Sequence, residues 1–499
     1  MGNGRHVRLG RWFLFFAVAA FVAAAEPRTN FVVIIGDDIS AEDLGCFGNP
    51  GIRTPNIDRL ASASRVFDNA YLTISSCSPS RSSLVTSRYP HNLETASELH
   101  GALPAGIPLL PGLLRQAGYY TVQSGKAHFG ETPGRVTGPA VEAFDVMGDG
   151  ELDDLYGGRG GENRWVDRLR ERPLDQPFFM WFAAHDAHRI WDADSFEGMS
   201  RPEDVRVPPY LVDTPETRAD LARYYDEIMR LDFYVGEVMR ELRRQNVLEH
   251  TVVVFLSDNG RPFPRSKTRL YDDGIKTPLI VHWPAGISRA ARTEALVSAI
   301  DLAPTLLEIA GVARPESFQG VSFLPVLRDP DATVRDYVFA EQNWHNFTAH
   351  VRMVRRGNFV YMRNAWPELP LPGASDTFYT PSAEALKQRR AAGALTTAQA
   401  DVFLQPRPAE EFYDLGRDPV QMNNLALAEK PPTELMELRA VLDRWIRETG
   451  DTVPRNPTAS NIVLETGERI PLRRGEPPGA AAQAAKVNAP GPVRVGDGS

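Results

Sequence analysis

The run Asn30-Phe31-Val32-Val33-Ile34-Ile35-Gly36 limits the fold more than any other stretch of this chain. It is continuously apolar and rich in β-branched residues, with none of the polar alternation of a strand that has one wet face. Such a strand is covered on both sides, as in a parallel sheet clad with helices. Gly118-Tyr119-Tyr120-Thr121-Val122 is a shorter strand of the same kind. Pro177-Phe178-Phe179-Met180-Trp181-Phe182-Ala183-Ala184 and Val252-Val253-Val254-Phe255-Leu256 are further buried strands. In open α/β sheets, ligands gather beyond the carboxyl ends of the strands. The polar residues that follow each run are therefore the first candidates for a site.

Those followers form a consistent set. The first strand ends in Asp37-Asp38, two adjacent carboxylates that repel each other unless a cation is near. Surface acids or a helix cap are the lesser alternative for this pair taken alone. Together with Asp258-Asn259 at the end of a separate strand, they read better as a metal site. Hard oxygen donors suit Ca²⁺ or Mg²⁺ and do not suit zinc. Lys126 and His128, two residues apart on a segment expected to be extended, point the same way; the alternative is two surface groups on a loop. His185-Asp186-Ala187-His188-Arg189 follows the third run. One such histidine is more often structural than catalytic, but two with an arginine at a strand end shift the balance.

The chain has 499 residues and is 42% hydrophobic, enough for a large core and more than one domain or subdomain. Its formal net charge of -9 argues against nucleic acid, which calls for clustered Lys and Arg. An anionic substrate would need a local cationic pocket in an acidic surface. With Cys46 and Cys77 as the sole cysteines, there is no disulfide framework. Residues 1–25 have a basic start, an apolar run and Ala23-Ala24-Ala25, the features of a cleavable export signal. The run is short for a membrane span, so a secreted or periplasmic protein without a stable membrane span is expected.

Thr214-Pro215-Glu216 reads as a helix cap followed by a first-turn proline and acid. Apolar residues then recur at helical spacing from Leu221 to Leu242, so this helix packs on the sheet. Past about Arg328 the pattern changes to short alternating strands, closed by a helix over 433–449. The expected organisation is residues 26–328 as the large domain, 329–450 as a smaller one and 451–499 as a disordered tail. The tail expectation rests on its Ala, Pro and Gly content.

Cys77-Ser78-Pro79-Ser80-Arg81 lies near a strand-to-helix junction, where helix-terminal N–H groups can hold an anion. By itself Cys77 reads as a buried structural cysteine or as an activated thiol. The whole segment Cys77 to Thr86 resembles the signature of type I sulfatases, with Ser87 where the family usually has glycine. Gly125-Lys126-Ala127-His128-Phe129-Gly130, His185 to His188 (Ala187 replacing a usual proline), and Lys267 four residues before Tyr271 also resemble family motifs. Ser76 to Arg81, Thr214 to Leu221 and Ser257 to Pro264 resemble the sulfamidase branch, which carries arginine where this chain has Lys267.

The resemblance implies an α/β fold of alkaline-phosphatase type. Its large domain would have a mostly parallel sheet flanked by helices, and a C-terminal α+β subdomain an antiparallel sheet. It implies an enzyme hydrolysing sulfate from sulfated sugars, N-sulfoglucosamine first among them, or an O-sulfate on another polysaccharide. A phosphatase or phosphodiesterase of the same superfold and an inactive glycan-binding relative are the alternatives. A maturase would convert Cys77 to formylglycine, whose hydrate is the nucleophile. One Ca²⁺, with Mg²⁺ second, would be held by Asp37, Asp38, Asp258 and Asn259 beside residue 77. Arg81, Lys126 and Lys267 would neutralise the sulfate, His188 or Lys267 would protonate the leaving group, and His128 would assist release. His345, Arg363 and Asp376 of the C-terminal part are candidate sugar contacts.

Overall fold

The computed structural model describes residues 1–2, 28–129, 138–148, 161–191 and 196–496. The expected export signal and Gly130 lie outside the described residues. Among the described residues, no helix is long and apolar enough to cross a membrane.

Eight strands build the main sheet: β1 (Asn30–Gly36), β2 (Arg65–Tyr71), β3 (Tyr120–Gly125), β4 (Val146–Gly148), β5 (Phe178–Ala183), β6 (Thr251–Ser257), β7 (Leu279–His282) and β8 (Ala291–Ser298). Their order is β4-β3-β5-β1-β6-β7-β2-β8. β7 runs antiparallel to both of its neighbours, and the other pairings are parallel. β1 is buried along its whole length, as its unbroken apolar run requires. Phe31, Val33 and Ile35 join one core, while Val32 and Ile34 join the core on the opposite face, the period-two alternation of a strand covered on both sides.

The second core is closed by the long helix Pro215–Arg244, which buries Leu221, Ile228, Leu231, Val235 and Leu242. Thr214 caps it as expected, its hydroxyl accepting from the Thr217 N–H at 3.2 Å.

The C-terminal part carries an antiparallel sheet of β9 (Val338–Gln342), β10 (Val351–Arg356), β11 (Phe359–Asn364) and β12 (Glu410–Asp414), in the order β12-β11-β10-β9. The helix Thr433–Thr449 covers it, with Trp445 stacked on Phe339 at 5.0 Å between ring centroids. β9 is tied to the chain approaching Cys77, because the Glu341 N–H donates to the Thr73 carbonyl at 2.8 Å. This join aims the residues after β9 at the carboxyl end of the main sheet.

The expected disordered tail is corrected. From Asp451 to Gly496 the chain runs along the body, and buried side chains of both the large and the smaller domain capture its backbone. Asn92 Nδ2 donates to the Ala484 carbonyl at 2.6 Å, and Arg88 Nη2 to the Val487 carbonyl at 2.8 Å. Gln319 Nε2 donates to the Ala489 carbonyl at 2.9 Å, and Trp344 Nε1 to the Ala459 carbonyl at 2.8 Å. Composition misled because the tail's order comes from partners elsewhere in the chain rather than from its own apolar side chains. Each such donor left unpaired costs about 1–3 kcal/mol. Ending the chain at Gly450 is therefore expected to lower the thermal midpoint markedly; an unchanged midpoint would show that the tail is dispensable for folding.

Candidate active site

Four adjacent parallel strands, in the order β3-β5-β1-β6, end side by side. The ladder continues one residue beyond them. Lys126 N–H donates to the Ala183 carbonyl at 2.8 Å, Ala184 N–H to Ile35 at 2.8 Å and Asp258 N–H to Gly36 at 3.2 Å. Lys126, Asp37 and Asp258 therefore leave a rigid edge at fixed spacing. Each of these strands had been singled out by its apolar run.

Cys77 is the first residue of the helix Cys77–Thr86, which is buried along its entire length. Arg81 lies one turn later. Its Nε donates to Asp258 Oδ2 at 2.8 Å and its Nη1 to the Lys126 carbonyl at 2.8 Å, while Nη2 stands 3.8 Å from Asp37 Oδ2. Ser87 ends the helix at φ 53°, in the left-handed region where glycine is at ease. The serine hydroxyl is used there, donating to the Ile300 carbonyl at 2.6 Å and accepting from Gly320 N–H at 3.1 Å. Burial pushes the Cys77 thiol far above its ordinary range. That shift weighs against the reading as an activated thiol.

The carboxylates and cations interlock. Lys126 Nζ bonds Asp37 Oδ2, and Asn259 Nδ2 bonds Asp38 Oδ1. Lys267 Nζ bridges Asp38 Oδ2 at 2.7 Å and Asp376 Oδ2 at 2.6 Å. Burial would raise the Asp37 carboxyl, but Lys126, with His188, Arg81 and Lys267 behind it, holds it well below the usual range. Asp38 is pushed up to about 8, chiefly by burial, with Asp37 and Asp376 adding to it against Lys267. Burial also opposes the charge on Lys267, yet Asp376 and Asp38 keep it protonated.

A divalent cation fits this donor set. One oxygen each from Asp37 and Asp258 lies with the Cys77 sulfur, all within 4.8 Å of one another. Asp37 Oδ1 and Asn259 Oδ1 are buried and accept no hydrogen bond, a state that costs free energy unless a cation or another donor meets them. A second group, Asp38, His188 and Asp376, is equally close-knit.

The histidines line the same space. His188 Nε2 is 3.4 Å from Asp376 Oδ2, and burial with Lys267 nearby lowers its pKa to about 3. His345 Nδ1 is 2.7 Å from Ser76 Oγ, next to Cys77. His128 Nε2 is 2.9 Å from His100 Nδ1. The expected extended segment at Lys126 and His128 is corrected at the second residue, where φ is 49°.

Asp376 and His345 are thus brought to the site, and Arg363 is not. Arg363 sits on β11 with its Nη1 2.8 Å from Asp443 Oδ1 on the covering helix, an exposed pair. Strand alternation gave no warning, since it fixes a face of the sheet and not which end reaches the pocket. Arg363→Ala is expected to leave kcat/KM nearly unchanged, because its guanidinium is spent on Asp443 rather than on the site, and to cost at most about 1 kcal/mol of stability; a large loss in a turnover assay would return it to the site. No motif in the sequence marks His100. Its pairing with His128 depends on contacts 28 residues apart that no local pattern encodes. Arg189 is structural: it forks onto Asp220 at 2.8 and 2.9 Å and lies against the Trp191 ring.

The Sulfatase family matches residues 29–312 of this chain, spanning the strand ends and the Cys77 helix. The chain belongs to the sulfatase family. The family described as N-sulphoglucosamine sulphohydrolase, C-terminal, matches residues 265–362 of this sulfatase. It is 34% identical over 472 residues to the human N-sulphoglucosamine sulphohydrolase, covering 86% of this chain and 91% of that one. It is 29% identical over 460 residues to an ulvan-active sulfatase of Formosa agariphila, covering 85% of this chain and 76% of the relative. Among solved structures, the fold resembles a protein in complex with its substrate D-glucosamine-2-N,6-O-disulfate, with a TM-score of 0.63 and 18% identity over 84% of this chain and 98% of the other. This sulfatase is a sulfuric ester hydrolase on the alkaline-phosphatase-like fold, and the phosphatase alternative is set aside.

Proposed function

We propose that this sulfatase is an exported enzyme that removes sulfate from sugars, with N-sulfoglucosamine as the leading substrate, and that residue 77 works as formylglycine. The observation that supports it best is the position of Cys77. It starts a buried helix beside Asp37 and Asp258, with Arg81, Lys126 and Lys267 around it. A buried, protonated thiol would be inert there, whereas a hydrated aldehyde supplies an oxygen nucleophile for attack on sulfur. The match of residues 265–362 to the sulphohydrolase C-terminal family favours the N-sulfated sugar. The ulvan-active relative favours a second reading, an O-sulfated polysaccharide.

One Ca²⁺ would be held by Asp37, Asp38, Asp258 and Asn259, where it would withdraw charge from the bound sulfate. The residues do the rest. Among the described residues, the carboxyl groups of Asp37, Asp38, Asp258 and Asp376 face the cations Arg81, Lys126 and Lys267, so an anion is welcome once a divalent charge is added. Arg81 and Lys126 hold sulfate oxygens against the repulsion of an incoming nucleophile. His188 is neutral at rest, and Lys267 carries the proton nearest Asp376. His128 stands by to take up a proton as sulfate leaves.

Two measurements test this reading. Elemental analysis is expected to find about one calcium per chain. Chelation should abolish turnover and lower the thermal midpoint, since a bound ion at about 100 times its Kd stabilises by about 2.7 kcal/mol. Stoichiometric zinc, or full activity in chelator, would defeat the calcium site. Offering N-sulfoglucosamine, glucosamine 6-sulfate and an algal-type O-sulfated sugar while following free sulfate separates the two substrates. Cleavage of O-sulfates alone would exclude the sulfamidase reading and leave the sulfatase standing.

A further inference from the structure

The segment between Thr458 and Gly475 is not used by the chemistry above, yet it is fastened to both sides of the pocket. On one side, Thr458 Oγ1 donates to Glu98 Oε2 at 2.7 Å, and Arg474 Nη2 donates to the Leu99 carbonyl at 2.9 Å. The next residue is His100, whose ring meets His128 and whose N–H donates to Ser78 Oγ at 2.8 Å, beside Cys77. On the other side, Asn461 N–H donates to the Asn346 carbonyl at 2.9 Å, next to His345. Asn346 Oδ1 in turn accepts from the Ser375 N–H at 3.4 Å, next to Asp376. Tyr379 Oη reaches the Leu464 carbonyl at 3.2 Å.

Between these anchors the chain forms a hairpin. Ile462 bridges Arg469, and Val463 N–H donates to the Glu468 carbonyl at 2.9 Å. Arg469 is exposed, and among the described residues no carboxylate is ion-paired with it. Glu465 and Glu468, also exposed, are the acids of the same hairpin. A solvated arginine on a hairpin anchored to the neighbours of His100 and His345 offers a planar fork that suits sulfate or carboxylate.

We propose that Arg469 determines specificity: its guanidinium meets a second anionic group, a sulfate or carboxylate, on the sugar whose first sulfate is held at residue 77. This rests on the sulfated-sugar reading of the pocket. Independent support comes from His100, lowered to about 4 mainly by burial, with Lys126, Arg474 and Arg469 adding repulsion. The charge of Arg469 therefore reaches the side of the pocket that His100 lines.

The test uses the full chain with Cys77→Ala, which keeps the pocket and stops turnover. Calorimetric titration compares two pairs of sugars: glucosamine N-sulfate against glucosamine N,6-disulfate, and a neutral O-sulfated monosaccharide against a sulfated disaccharide bearing a uronate. In at least one pair the parent should bind the doubly anionic member more tightly. Arg469→Ala should weaken that member by about fivefold, the scale of a partly exposed ion pair. Arg469→Glu should weaken it further, and the singly anionic member should be unaffected by either. A parent that gains nothing from the second anion in either pair, or variants that weaken both members equally, overturn the proposal. Sulfate release by the protein with Cys77 intact is scored separately, so failure of the sulfatase reading is recognised on its own.

Discussion

Cys77→Ala is expected to reduce sulfate release to background, a loss of about 10⁴-fold or more, while the protein stays folded. The size follows from the role: removing a nucleophile that the other groups serve costs nearly all of the catalysis, because no neighbour replaces it. The stability change should be small. The side chain is short, and deleting one buried sulfur leaves a small cavity worth about 1 kcal/mol. Arg81, Asp37 and Asp258 keep their contacts without it. Initial rates on a sulfated sugar, read beside thermal unfolding, check both halves. Substantial remaining turnover with an intact fold would remove formylglycine from the mechanism. Peptide mass spectrometry of the parent gives a second readout, because the aldehyde at residue 77 carries one oxygen in place of the thiol's sulfur and has two fewer hydrogens.

The second large effect should come from Lys267→Ala. Lys267 is 1% exposed and bridges Asp38 and Asp376. Without it buried Asp38 and half-buried Asp376 lose their shared cation, and removing one partner of a buried pair such as Lys267 with Asp38 costs about 3–5 kcal/mol. Turnover should fall by about 10²- to 10³-fold, the range for losing one fixed charge or donor that meets the transition state. The loss should be similar for a sugar sulfate and for an activated aryl sulfate, since both reactions place the same charge on sulfur. His188 is neutral at rest, so His188→Ala should cost far more on the sugar, whose poor leaving group needs a proton, only if His188 takes one up with the bound substrate. Equal losses on both substrates for His188→Ala would remove it as the acid. Lys267→Arg, the residue of the sulfamidase branch, should recover part of the activity and most of the stability, which guards against a merely unfolded alanine variant.

Much of this site was legible because its parts sit where local sequence rules are strong. Unbroken apolar runs marked β1, β5 and β6 as buried strands, and the polar residues ending them, Asp37, Asp38, His188, Asp258 and Asn259, converge at one edge. The Cys77 helix was visible from its motif and begins at Cys77 itself. What was hidden depended on contacts between distant segments. Asp376 is a candidate sugar contact by sequence, but its bond to Lys267, across 109 residues, has no local signal. Arg363, in an equally basic and polar setting, turns instead to Asp443. The tail was misread because its Ala, Pro and Gly content describes the segment alone, whereas its order comes from Arg88, Asn92 and Gln319.

That tail also fixes an order of assembly. Its bonds to Arg88 and Asn92 close loops of 392 to 400 residues. A ribosome makes the chain from the other end, so the sheet, the Cys77 helix and the sheet of β9 to β12 can all form before the last clasp exists. The hairpin that carries Arg469 is therefore among the final pieces to arrive. Closing so long a loop costs little more than closing a moderate one, since the entropy grows only with the logarithm of length. The expense is in time: until residues 451–496 are made, the groups around Cys77 stand without the segment that carries Arg469.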